Sequence, residues 1–248
     1  MNKFFVGLHH PSDAWPFLRS MISINAIRTR KSRFRVNQWI LDSGAFTEIS
    51  THGRWRSEPE RYSEQINRWR SNGNLAASVT QDMMCEPVIL AKTGLSIERH
   101  QEITIERYIK IVGATDCYVM PVLQGYEPQD YQRHLAMYGS MLGFGQWVGV
   151  GSVCKRNGDP AAIRDVLWAI KSTRADLKLH GFGIKLTALA DDAVCEALES
   201  SDSMSWSKAG RHEDDANDPR AALLYSAQIE KLIKRPLFVQ PVLSGWWN

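Results

Sequence analysis

The sequence predicts an α/β fold, a (β/α)8 barrel of TIM type. Short apolar runs alternate with amphipathic stretches of about ten to sixteen residues, which implies strand–helix units around a parallel sheet. The chain has 248 residues, and such barrels take about 200–250 residues as one domain. The turn after the first apolar run lacks G-x-G-x-x-G, the phosphate-cradling signature of an open dinucleotide-binding sheet. A single domain over 1–248 follows, with its last unit open to irregularity and no linker or repeat to divide it.

The elements follow in order. Phe4-Phe5-Val6-Gly7-Leu8 is a short strand. Trp39-Ile40-Leu41 is the second, ending in the turn Asp42-Ser43-Gly44. Ser57-Glu58-Pro59-Glu60 reads as a capping box with Ser57 as N-cap, opening a helix with the stripe Tyr62, Ile66 and Trp69. Asn72-Gly73-Asn74 stops it, and the third strand, 75–80, leads to Gln81-Asp82. A helix from Ser96 is expected to bury Ile105, Tyr108 and Val112. The fourth strand, 117–123, ends at Gln124-Gly125, and Pro128 suits the first turn of a helix running to Met141. The fifth strand is 147–151. Asp159-Pro160 then caps a helix that buries Ile163, Val166, Leu167 and Ile170. The sixth strand is 179–184, followed by a helix over 191–199 and a short strand at Met204-Ser205-Trp206. Arg211 to Asp218 reads as a polar loop. Asp218-Pro219 opens a helix through Ile233, and 236–243 is expected to supply an eighth strand.

Composition narrows the function. With 44% hydrophobic and 23% charged residues, the chain is neither disordered, collagen-like nor a coiled coil. Its net charge of +3 leaves nucleic-acid binding to be argued from local clusters. The N-terminus lacks a signal-peptide pattern, and no apolar run approaches the ~18 residues that cross a bilayer. Cys85, Cys117, Cys154 and Cys195 form no C-x-x-C pair. They are expected to be buried, reduced thiols of a cytoplasmic chain.

A barrel carries its active site at the C-terminal ends of its strands. Here those ends hold Asp42-Ser43-Gly44, Gln81-Asp82, Gln124-Gly125 and Gly149-Val150-Gly151-Ser152, and Asp202-Ser203 stands at the start of the short strand 204–206. Each alone also reads as a turn or a helix cap. Together they place three aspartates, a glutamine and a glycine-rich edge around one mouth.

The same segments carry a family resemblance. Asp42-Ser43-Gly44-Ala45-Phe46 resembles the D-S-G-G-[FY] motif of the tRNA-guanine transglycosylase superfamily. Gln81-Asp82-Met83-Met84-Cys85-Glu86-Pro87 is similar to its F-D-E-C-x-P, and Val122-Leu123-Gln124-Gly125 to its V-Q-G. Gly149-Val150-Gly151-Ser152 takes the place of G-G-L-A-V-G, and Leu179-His180-Gly181-Phe182-Gly183 resembles L-x-G-x-G. Asp202-Ser203-Met204-Ser205-Trp206 is similar to F-D-S-A-S-Y. The six segments stand in family order. The chain has no C-x-C-x-x-C cluster for the family's zinc subdomain, and no appended RNA-binding domain is expected. Those departures resemble the DNA-modifying, DpdA-type branch of phages and bacterial genomic islands, which places a 7-deazaguanine in DNA in the cytoplasm of a bacterial host.

The resemblance implies roles. Asp202 would be the nucleophile that forms a covalent sugar intermediate, and Asp42 the acid and base that serves the leaving and incoming bases. Asp82 would accept from the purine ring N–H and exocyclic amine. Gln124 would donate to the base carbonyl, with Gly125, Gly151 and Ser152 beside the base. The chemistry asks for no cofactor and no metal; the partners implied are DNA, or tRNA, and a free 7-deazaguanine base such as 7-cyano-7-deazaguanine. The target base must leave a duplex to be reached. Phosphate contacts are expected from Arg28, Arg30, Lys31, Arg33 and Arg35, from Arg54 and Arg56 flanking Trp55, and from Lys208 and Arg211. Two other readings stay open: an enzyme of the same kind acting on RNA, and a metal-dependent barrel hydrolase. Against the latter, His9-His10 are adjacent and so point to opposite faces of a strand.

Overall fold

The computed structural model describes residues 1–209 and 217–234. Within them, parallel strand segments form one sheet: β1 (Lys3–Leu8), β2 (Arg19–Ser23), β3 (Gln38–Asp42), β4 (Asn74–Val79), β5 (Val119–Met120), β6 (Val122–Leu123), β7 (Trp147–Val150), β8 (Lys178–Gly181) and β9 (Leu198–Ser203). Their spatial order is β5-β4-β3-β2-β1-β9-β8-β7-β6. The two outermost segments, β5 and β6, are separated in the chain only by Pro121. β5 pairs with β4 and β6 with β7, so they are two halves of one strand and the ring closes through it. Pro121 offers no N–H, but its carbonyl accepts from Gly149 N at 2.9 Å. The result is a TIM-type barrel of eight strand positions.

Strand alternation sorts side chains into two layers. Phe4, Val6, Trp39, Leu41, Val148 and Leu179 point outward against the helices. Phe5, Met21, Ile40, Val79, Met120 and Val122 fill the barrel. Helices Pro59–Trp69, Ile97–Val112, Pro128–Tyr138 and Pro160–Thr173 cover the outside. Period two then predicts the mouth. Asp42 lies two residues beyond Ile40 and Gln124 two beyond Val122, so each continues an inward-facing row past the apolar plug.

Several sequence expectations need correction. The last strand of the ring is Leu198–Ser203 and not 204–206, and the helix before it ends at Ala197. Leu-Glu-Ser-Ser-Asp-Ser has no apolar rhythm, because its inward positions Ser200 and Asp202 make hydrogen bonds inside the barrel. β2 was not foreseen in Arg19-Ser20-Met21-Ile22-Ser23, which is short and half polar. β8 stops at Gly181. The N-cap of the second long helix is Glu58, not Ser57; the Ser57 carbonyl instead accepts from Gln81 Nε2 at 3.3 Å. Helix Ile97–Val112 buries Ile105, Tyr108 and Ile111 and leaves Val112 exposed. Asp159 and Asp218 are side-chain caps, as expected, and Ser96, where a helix was expected to begin, caps its helix too. All four cysteines are free; Cys85 and Cys195 are buried, but Cys117 and Cys154 only partly so. The strand expected at 236–243 and the polar loop with Arg211 lie outside the described residues, apart from the loop's end at 217–218.

Candidate active site

A cavity of ≈ 610 Å3 opens at the C-terminal ends of the strands. Asp42, Asp82, Gln124, Gly151, Ser152 and Asp202 all line it. Gly125 does not. A Cβ there would stand 2.6 Å from Asp130 Cβ, so its glycine serves the packing of the following helix.

Asp42 closes β3. Its carboxylate accepts from Gly44 N at 3.2 Å and is hydrogen-bonded by the Ser23 side chain. Gly44 has φ +78° and opens helix Ala45–His52. A Cβ there would meet Asn25 Nδ2 at 2.6 Å, so the turn requires glycine. Burial, and to a lesser degree the nearby Asp202 carboxylate, push the Asp42 pKa up to about 6. Opposed hydrogen bonds from Ser23 and Gly44 lower it only in part.

Asp82 is buried beneath the β4 end. Burial raises its pKa to about 7, against a hydrogen bond from Gln124. Gln124 Nε2 donates to Asp82 Oδ2, while Gln124 Oε1 lies 2.7 Å from Ser152 Oγ. The amide has two N–H groups, so one stays available to a ligand. Gly151 makes this possible, since a Cβ there would stand 2.1 Å from Gln124 Nε2. Ser152 has φ 57°, the one positive value at a non-glycine among the described residues. Such a left-handed conformation costs about 1–2 kcal/mol. It brings the Ser152 hydroxyl to Gln124, to Glu86 Oε2 at 3.2 Å and to Cys85 N, which donates to it at 2.8 Å. The Asp82 backbone is held too, as Trp55 Nε1 donates to its carbonyl at 3.2 Å.

Asp202 is supported from β8. Its Oδ1 accepts from Gly183 N at 3.0 Å and lies 3.3 Å from His180 Nε2.

The cations separate into two groups. Arg28 and Arg56 both reach the buried Glu48 carboxylate, at 3.7 and 3.2 Å. With the exposed Arg54 they follow the ends of β2 and β3, on the cavity side. Arg33 donates to Ser71 Oγ just before β4, and Arg35 stacks 3.9 Å over Trp15 just before β2. Arg68, in the last turn of its helix, donates to the Arg30 carbonyl. Arg30, Arg33 and Arg35 therefore lie toward the N-terminal ends of the strands, and the structure does not bring them to the mouth; Lys31 is exposed on the same segment. Lys208 falls in helix Trp206–Ala209 just past β9.

The sequence reading passed over Glu86, Phe46 and Lys155. Glu86 lines the cavity, and Lys155 sits 4.9 Å over the half-exposed Phe46 ring at its lip. Glu86 stood inside a motif already singled out; Lys155 had no signal, because its contact joins segments far apart in sequence. Among the described residues, no group of three or more His, Cys, Asp or Glu side chains is placed to hold a metal ion.

Fold and site together define a TIM-type barrel protein whose pocket, ringed by carboxylates, sits at the strand C-termini. The model of the DpdA family, DeoxyPurine in DNA protein A, matches residues 1–222, and the chain belongs to that family. The match spans every motif segment of the mouth, Asp202 included. No curated protein matches the chain. No helix among the described residues is long and apolar enough to cross a membrane.

Proposed function

We propose that the protein exchanges guanine in DNA for a 7-deazaguanine base through a covalent aspartyl–sugar intermediate. The observation that carries this reading is the convergence of Asp42, Asp82 and Asp202, from three strand ends, on one cavity. Base exchange with retention at C1′ needs two inversions and hence a nucleophile. Asp202 attacks C1′ as the bond to guanine N9 breaks. Asp42, with its raised pKa, holds the proton that the departing guanine takes up. The incoming base then returns its N9 proton to Asp42, and its N9 displaces Asp202 from C1′. Asp82 accepts from the purine ring N–H and amine once ionised, and the second N–H of Gln124 reaches the base carbonyl. Arg28, Arg54 and Arg56 contact backbone phosphates beside the extruded nucleotide.

Trapping tests the intermediate. Incubation with guanine-containing DNA and no incoming base, followed by denaturation, is expected to leave DNA attached to the protein and to release free guanine. Guanine release with no attached DNA would remove the covalent step, and neither product would remove the reading.

A further inference from the structure

His180 lies on β8, wholly buried and ringed by aromatic side chains. Its ring centroid is 4.9 Å from Phe182, 5.8 Å from Trp147 and 6.1 Å from Phe5. A buried imidazole must satisfy its two nitrogens. Nδ1 lies 2.9 Å from Ser200 Oγ and Nε2 3.3 Å from Asp202 Oδ1. Trp147 Nε1, which can only donate, gives its proton to Ser200 Oγ at 2.8 Å. An ionised Asp202 carboxylate can only accept, so Nε2 carries the proton toward it, and in the neutral ring Nδ1 then accepts from the Ser200 hydroxyl. A chain of hydrogen bonds so runs from β7 through β9 and β8 and back to β9, ending on one oxygen of Asp202. Gly183 N donates to that same oxygen at 3.0 Å.

We infer that His180 is a positioning residue for Asp202, and that the two carboxylate oxygens have separate roles: Oδ1 is held and Oδ2 attacks. The inference rests on the reading of Asp202 as nucleophile. Two donors fix Oδ1, so the carboxylate cannot turn, and Oδ2 carries the electron pair to C1′. In the intermediate the C1′–Oδ2 ester bond has formed and the N9–C1′ bond has broken. Oδ1 is then the ester carbonyl oxygen, still facing Gly183 N and His180 Nε2. When the incoming base displaces the carboxylate, negative charge returns to Oδ1 and Oδ2, and the same donors stabilise it.

The test compares His180→Phe, His180→Gln and Asp202→Ala by guanine release from saturating DNA, by KM for DNA and by melting temperature. Phe keeps a ring in the aromatic cage and removes both nitrogens; Gln returns an N–H within reach of Oδ1. His180→Phe is expected to lower the release rate by roughly 10- to 100-fold, the scale of a misplaced reacting group. KM should stay within about threefold, because the phosphate contacts lie elsewhere. His180→Gln should recover most of the rate. Parent-like release by His180→Phe, or a folded His180→Gln as slow as His180→Phe, overturns the inference. A readout on the parent protein needs no variant to fold: imidazole 15N spectra should place the His180 proton on Nε2. A proton on Nδ1 with a lone pair toward Asp202 also overturns it. Asp202→Ala separates the two levels. If that variant still releases guanine, the nucleophile reading has failed; if it is inactive while His180→Phe is not, only the positioning role has failed.

Discussion

Gln124 donates from Nε2 to Oδ2 of Asp82, joining the end of the split β5–β6 strand to the segment after β4 in the lining of the cavity. The bond orients the carboxylate and leaves the amide a second N–H. Asp82→Asn keeps the shape but replaces an ionisable acceptor with an amide. Hydrogen bonds to a charged group are worth about 1.5–3 kcal/mol, so the KM for the incoming base should rise by roughly 10- to 100-fold. DNA affinity should stay within about threefold, since it comes from phosphate contacts. Exchange rates against base concentration, with DNA binding measured in parallel, check both halves. An unchanged dependence on base concentration counts against the role of Asp82.

Gly151→Ala tests the same pair from behind. The new Cβ would occupy the space of Gln124 Nε2, so Gln124 must move and Asp82 loses its donor. The KM for the base should rise as in Asp82→Asn, and combining the two changes should add little, because both act on one network. Full additivity in that double variant would show that Gly151 acts on something else.

Stability should carry the opposite sign to function. Asp42 and Asp82 have folded pKa values of about 6 and about 7, above the ordinary 3.8. Between about pH 4 and those values the native state binds more protons than the unfolded chain, so stability falls as pH rises. Asp42→Asn and Asp82→Asn remove that burden. Each should melt above the parent at pH 8 and lose most of the advantage near pH 4. Melting curves at the two pH values decide it, and parallel profiles would refute the burial argument. The affinity for the base should rise with pH through about 7 as Asp82 ionises.

Much of this architecture was legible in the sequence because strand ends and period two are local signals. Asp42, Asp82 and Gln124 announced themselves as polar residues closing apolar runs, whereas Asp202 was marked only by the motif around it. β9 was misplaced because Ser200 and Asp202 turn their polar groups into the barrel, which reverses the usual apolar-inward pattern. Pro121 hid the way the ring closes, since one predicted strand serves two neighbours through its two halves. The Arg28–Arg35 run read as one patch, but a loop that travels from the C-terminal to the N-terminal end of the barrel separates its members.

That separation sets a salt prediction. Arg54 and Lys155 are exposed on loops at the C-terminal ends of the strands, whereas Arg30, Lys31 and Arg33 lie on the segment that leads away from it. Affinity for duplex DNA falls with salt at a log–log slope of about −0.9 per neutralised phosphate. Replacing Arg54 and Lys155 by Ala should make the slope shallower by about two, as two lost contacts imply. Replacing Arg30, Lys31 and Arg33 together should change it less. Binding titrations over a salt series compare the two sets, and the reverse order would put the DNA track along the arginine segment.

The central claim is base exchange on DNA at Asp202. Its most direct test is nucleoside mass spectrometry after incubating the protein with 7-cyano-7-deazaguanine and with DNA or tRNA in parallel. The account predicts the deazaguanine nucleoside in DNA, an equal amount of guanine released, and neither with Asp202→Ala under conditions where its melting curve shows it folded. Incorporation into tRNA alone, or undiminished exchange by the Asp202→Ala variant, would contradict it.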